Sequence, residues 1–164
     1  MAHDEPRALD FTPDPVKMAY LAGFFDGEGS VSITRKKTKG PMPQHVLQVS
    51  VAQIDLRPLS LLREAFGGNI YPQGKAKRNC WAWMVAAQKA RPVLQGLLPY
   101  LLVKKRDAEI GFAFLDISHR EKPRTAATPE RVAQREGYRG QLAVIRGVAS
   151  SIYRNGQHAA VQAG

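Results

Sequence analysis

Residues 21–29 read Leu21-Ala22-Gly23-Phe24-Phe25-Asp26-Gly27-Glu28-Gly29. Two carboxylates and three glycines close an apolar, helix-like run. A helix C-terminus carries partial negative charge, so Asp26 and Glu28 are misplaced there by local electrostatics. Gly23 and Gly27 each cost about 1 kcal/mol relative to alanine inside a helix. Local rules broken without local gain point to a functional site. Gly23 and Gly27 are four apart and share one helix face. A second helix can settle on that bare face nearly backbone to backbone. If the second helix comes from another copy of the chain, the contact is two-fold and two Glu28 carboxylates meet at its end. Crowded carboxylates need compensation to stay ionised, and a divalent cation supplies it. Oxygen ligands with water in the remaining positions suit magnesium, which can activate water and stabilise a leaving phosphate oxygen. The competing reading is a tightly packed helix that ends in a solvated acidic loop.

The rest of the chain bounds the partner. It has 164 residues, 44% of them apolar, a formal charge of +10 and a pI near 10.0. Such a basic excess points to a polyanion, most often nucleic acid. The charge clusters at Arg35-Lys36-Lys37-Thr38-Lys39, Lys75-Ala76-Lys77-Arg78 and Lys104-Lys105-Arg106. No apolar run is long enough for a membrane span, and the polar, acid-containing N-terminus does not resemble a signal peptide. Cys80 is the single cysteine, so neither an intrachain disulfide nor a cysteine-based zinc site is available. The expected setting is the cytoplasm, an organelle or the nucleoid, with no small-molecule cofactor.

The elements that must position the carboxylates follow from periodicity. Residues 1–13 read as a leader. Asp14-Pro15 opens a helix that runs to about Gly27, and Gly29 helps it stop. Val31 and Ile33 then alternate with Ser30, Ser32, Thr34 and Lys36, the pattern of a half-buried strand with a polar second face. A second strand spans about His45 to Ile54, and Leu56–Phe66 forms an amphipathic helix. A second hairpin joins Asn69–Gln73 to Asn79–Ala86, with Trp81 and Trp83 on one face. Residues 88–102 read as one helix kinked at Pro99, and residues 104–117 as another. Residues 119–128 read as a linker. A last helix is expected from Pro129 to about Tyr153, interrupted near Gly137 and Gly140, with Arg131, Arg135, Arg139 and Arg146 either on a solvated surface, the favoured reading, or against DNA flanks. The fold class is α+β, with helices on one face of a mostly antiparallel sheet. The domain is expected at 14–118, followed by a linker and helical extension at 119–164.

Leu21–Gly29 resembles the signature of the LAGLIDADG homing endonucleases, and the order αββαββα resembles that family's fold. The resemblance covers roughly residues 15–118. It implies a homodimeric endonuclease that cuts both strands of a long, near-palindromic DNA site by metal-dependent hydrolysis, leaving 3′ overhangs. It implies that Glu28, helped by the Gly27 carbonyl, binds the catalytic divalent metal. Asp26 is implied to support the helix junction, beside Gly23 and Gly27 at the dimer contact. Gln53 ends the second strand where relatives place a glutamine that orders water, and Arg57 matches a basic residue of the same pocket. Pro99-Tyr100-Leu101-Leu102-Val103-Lys104 resembles the family's segment whose lysine, here Lys104, acts at the scissile phosphate; Lys105 replaces it if the register slips.

The strands fit such a target in size. A strand of about 8 residues spans about 26 Å, or about 8 base pairs, and two copies with a central gap reach about 20. Ser30, Ser32, Thr34, Lys36, Lys37, Gln44, Gln48, Ser50, Lys75, Lys77 and Arg78 are the expected partners of base edges and phosphates. The alternatives are a non-cleaving nucleic-acid binder on the same scaffold (a DNA-binding regulator or an RNA-splicing maturase) and an unrelated basic domain.

Overall fold

The structure is a computed structural model and describes residues 14–73, 80–119 and 127–161. Helix α1 spans Pro15–Glu28, with Asp14 as its N-cap accepting from the Val16 N–H at 3.0 Å. Strand β1 (Gly29–Lys36) follows with no intervening residue. Strand β2 (Gln44–Gln53), helix α2 (Leu56–Phe66), strand β3 (Asn69–Gln73) and strand β4 (Cys80–Ala86) come next. Helix α3 (Arg91–Leu97) lies between single 3-10 turns at 87–90 and 98–100, and helices α4 (Lys105–His119) and α5 (Pro129–Val161) complete the chain. The four strands form one antiparallel sheet in the order β1-β2-β4-β3. The architecture is the α+β arrangement expected from the sequence.

Strand alternation divides the sheet into an apolar and a polar face. Val31, Ile33, Leu47, Val49, Val51, Trp83 and Val85 are buried. They share one core with Leu21 and Phe25 of α1, Leu59 and Leu62 of α2, Leu94 and Leu97 of α3, and Phe114 and Leu115 of α4. Each such side chain contributes about 1.5–3 kcal/mol of burial. Trp83 also donates its indole N–H to the Gly67 carbonyl at 2.8 Å, which ties β4 to the end of α2. Glycine is required at Gly68, where φ is +86° and a Cβ would sit 2.6 Å from Val85.

Two expectations about helices need correction. Residues 88–102 do not form one kinked helix; the chain tightens into 3-10 turns on either side of α3. Pro99 lacks an N–H and cannot continue the helical ladder. Beyond it, the backbone is captured by Asp26, whose carboxylate accepts the N–H of Leu102 and the N–H of Lys104, each at 2.8 Å. Helix α4 therefore starts at Lys105, with the Lys104 carbonyl accepting from the Ala108 N–H.

Helix α5, in turn, is not interrupted at Gly137 or Gly140. Its inner face is anchored. Leu142 is buried in the common core, and Tyr138 meets Phe114 edge-on with centroids 6.3 Å apart. Two glycines cost the helix about 2 kcal/mol, which this docking offsets. The arginines of α5 are not a simple solvated row: Arg131 and Arg135 are half-buried, and Arg146 reaches β1.

The outer end of α5 is pinned by charge. The side chain of His45 is fully buried, and its Nε2 lies 2.8 Å from Glu136 Oε1. Arg139 donates to Glu136 at 3.1 Å, and Arg35 stands 3.6 Å away. The His45 hydrogen bond, with help from Arg139, lowers the Glu136 pKa below the usual 4.5. Folding therefore gains stability from this group above its ordinary pKa and loses it as pH falls through the lowered value.

Glu136→Gln removes that titration, so its denaturant midpoint should change less than the wild type's as pH falls below about 4.5; parallel pH profiles would contradict it. Asp26→Ala orphans two N–H groups at the start of α4 and should cost about 2–3 kcal/mol in equilibrium unfolding. Asp26→Asn, which keeps one acceptor oxygen, should fall in between.

Candidate functional site

The site is built where α1 becomes β1. Gly29 is the C-cap of α1, and its N–H donates to the Phe25 carbonyl. A Cβ on Gly29 would lie 2.3 Å from the Phe25 ring, so only glycine lets the ring pack under the junction. Glu28 is thereby left exposed on the last helical residue. It makes no hydrogen bond or ion pair with any described residue.

Lys104 is delivered to the same turn from the start of α4. Its ammonium donates to the Asp26 carbonyl, the first carbonyl that the end of α1 leaves unpaired. A cation there is also favoured by the helix dipole. Asp26, Glu28 and Lys104 thus form one group. In it, Asp26 solves a local problem: it caps the start of α4 within its own chain.

Gln53 is brought close by register. Gly29 pairs with Val51, so the end of β2 lies beside the end of α1. The Gln53 side-chain oxygen accepts from the Ile54 N–H at 2.7 Å. Arg57 is turned elsewhere. Its guanidinium forks onto both oxygens of Asp55, the N-cap of α2, with Nε at 3.0 Å from each. That pairing holds the Asp55 pKa down to about 2. Glu28, Gly27 and Lys104 are assembled within one protomer, whereas Arg57 is not joined to them.

The bare face of α1 is open. A Cβ built on Gly23 or Gly27 would meet nothing within 4 Å. No described residue of the protomer therefore requires glycine at either position. On the same helix Val16 is 78% exposed and Tyr20 51%. Ile54, Leu102 and Val103 are also exposed, on the segments that follow β2 and precede α4. These apolar groups give the protomer an uncovered patch around the glycine notch.

The polar sheet face carries the strand residues expected to meet nucleic acid. Cross-strand pairing sets Ser30 opposite Ser50, Ser32 opposite Gln48, and Lys36 opposite Gln44. Thr34 stands in the same row and donates to the Val46 carbonyl at 3.2 Å. Gln48 reaches across to the Met84 sulfur at 3.2 Å. Asn69 and Tyr71 extend the face on β3, and Lys37 follows the end of β1. Lys75, Lys77 and Arg78 lie outside the described residues.

Among the described residues, no three His, Cys, Asp or Glu side chains gather as a metal site. At this corner the described residues offer one exposed carboxylate, Glu28, and neighbouring backbone oxygens. Those hard donors fit magnesium or calcium when a second carboxylate joins them.

Sequence reasoning missed Asp107 and Arg146. Asp107 is only 7% exposed, and burial pushes its pKa up, against the opposing charges of Arg146 and Lys104. Arg146 donates to the Ser30 hydroxyl at 3.3 Å and to the Val31 carbonyl. The signal available was the recurrence of arginines along a partly apolar helix.

Residues 21–111 match the sequence profile of the LAGLIDADG endonuclease family. Similar solved structures include the archaeal intron-encoded homing endonuclease I-Vdi141I complexed with DNA, with a TM-score of 0.69 and 18% identity, covering 81% of this chain and 86% of that one. The homing endonuclease I-CvuI in complex with its target, in the presence of calcium, gives a TM-score of 0.67 and 18% identity over 79% of this chain and 82% of its own. The I-SmaMI LAGLIDADG homing endonuclease bound to cleaved DNA gives 0.64 and 20% identity, over 75% of this chain but 42% of that one. No curated protein matches the chain in sequence. At such identities these structures establish a common fold. The family profile spans more than half of the chain and includes the nonapeptide at the α1–β1 junction, so this chain belongs to the LAGLIDADG endonuclease family.

Proposed function

We propose that the chain is a homodimeric, magnesium-dependent endonuclease that cuts both strands of a long, near-palindromic DNA site and leaves 3′ overhangs. The observation that carries this reading is the open glycine notch of α1 beside an exposed Glu28 that no described residue pairs with. The notch fits a second copy of the same helix, which would bring a second Glu28 to the same place. The I-SmaMI chain is spanned to 42% by this one, which is consistent with two copies here standing in for one longer chain there.

Each residue then has a task. Glu28 and the Gly27 carbonyl hold the divalent cation, which supplies Lewis acidity at the scissile phosphate when bound. Lys104, fixed on the Asp26 carbonyl, places positive charge where negative charge develops on phosphate oxygens. Gln53 orients water beside the reacting phosphate. The serine, threonine and glutamine rows of β1 and β2 face the major groove, where base edges are read. The basic loops contact phosphates, so affinity should fall steeply with salt. Arg57 joins the centre by exchanging Asp55 for a phosphate oxygen.

That last requirement favours one competing reading. Arg57 bound to Asp55, and Gln53 turned onto its own neighbour, also suit a binder that does not cut (a DNA-binding regulator or RNA-splicing maturase). Cleavage selection from a randomised duplex library with magnesium separates the two. The nuclease should yield cut sites, and Glu28→Gln should cut them about a thousandfold more slowly or worse while still binding. Equal cutting by the variant refutes the role of Glu28; binding without cutting, under every divalent metal tried, establishes the binder.

The dimer is tested separately. Gly27→Leu adds a side chain into open space, so the protomer should stay folded by circular dichroism. Sedimentation should report half the wild-type mass. A wild type that sediments as a monomer, or a variant that dimerises equally well, would rule out the clasp.

A further inference from the structure

Helix α5 and β1 run antiparallel. Glu136 stands at His45 and Arg35, near the outer end of β1. Ten residues later, Arg146 stands at Ser30 and Val31, at the inner end. β1 is an edge strand, so its outward backbone groups have no strand to pair with. Arg146 takes the outward carbonyl of Val31 and also holds the hydroxyl of Ser30, two residues after Glu28.

Asp107, in the first turn of α4, is buried and has the positive charges of Arg146 and Lys104 around it. A buried carboxylate without cationic neighbours costs several kcal/mol. Lys104 is in turn bonded to the end of α1.

We propose that Arg146 is a positioning residue of the cleavage centre: it clamps the first residues of β1 next to Glu28. This rests on the nuclease reading. It makes α5 a working part of the centre, although the nonapeptide lies more than a hundred residues away in sequence. The groove between β1 and α5, lined by Ser32, Gly140, Leu142 and Arg146, keeps the clamp open to water on one side.

The test uses the full chain with Arg146→Gln and Arg146→Lys. Amide hydrogen exchange over residues 28–33 is measured without DNA. Cleavage is measured on a duplex recovered from the randomised library with magnesium. Arg146→Gln should exchange about tenfold faster in that segment and lose about 10–100-fold in kcat with KM unchanged, the scale expected when a reacting group is misplaced by about 1 Å. Arg146→Lys keeps the charge but not the fork, and should recover part of both losses. Should the glutamine variant fail to fold, the lysine variant carries the test, with smaller shifts in the same directions. Unchanged exchange overturns the clamp. Faster exchange at wild-type kcat, or a rise in KM alone, overturns the link to the cleavage centre. If the wild type yields no cut duplex, the nuclease reading fails by itself, and the clamp is then judged on exchange alone.

Discussion

Helix α1 becomes strand β1 between Glu28 and Gly29, with no residue to spare. A helix end and a strand start differ by a large change in ψ, and here the change is absorbed at Gly29, with ψ at 163°. The Phe25 ring fills the space that a side chain on Gly29 would occupy. That packing ties the direction of β1 to the axis of α1. Glu28 projects from the corner, where neither the helix nor the sheet can satisfy it. The polar sheet face, the glycine notch and the acid are therefore held in one frame by a single backbone joint.

Asp26 and Lys104 make the joint rigid from below. Placing an acid in the last turn of α1 is unfavourable by the dipole of its own helix. The same carboxylate is favourable at the start of α4, where two backbone donors need an acceptor. Lys104 answers in the opposite sense, its ammonium completing the end of α1. Each helix terminus thus supplies the charge that the other lacks. The exchange explains why Asp26 and Lys104, 78 positions apart, work as a pair.

Much of this was legible in the primary structure. The bounds of α2, the alternation of β1 and the polar row Ser30, Ser32, Thr34 follow from periodicity alone, because a half-buried element carries its own burial pattern. The glycines and acids stood out because they violate helix preferences. What stayed hidden needed partners distant in sequence. The end of the helical run after Pro99 depends on Asp26 capturing Leu102 and Lys104, which no local pattern announces. The continuity of α5 depends on the docking of Tyr138 and Leu142, which outweighs the cost of Gly137 and Gly140. Arg57 could be placed beside Gln53 in sequence, but its preference for Asp55 is a side-chain choice. Arg146 looked like one surface arginine among several because its acceptor, the Val31 carbonyl, belongs to a strand edge that periodicity does not reveal.

The division of polar groups on the sheet has a consequence for recognition. Short, neutral side chains occupy the strand rows, where Ser30 faces Ser50 and Ser32 faces Gln48. Lysines gather instead at the outer end of β1 and just beyond it, as at Lys36 and Lys37 after the serine row. Contacts to base edges distinguish sequences, while contacts to phosphate contribute affinity that is nearly blind to sequence and sensitive to salt. A cation in the middle of the row would favour any duplex equally and blunt discrimination. Under the proposed function, the neutral strand rows would suit selecting the site and the basic segments holding it. The joint at Gly29 links the inner end of the serine row directly to Glu28, so under the proposed function a duplex seated on Ser30 and Ser50 would also be placed over the acid.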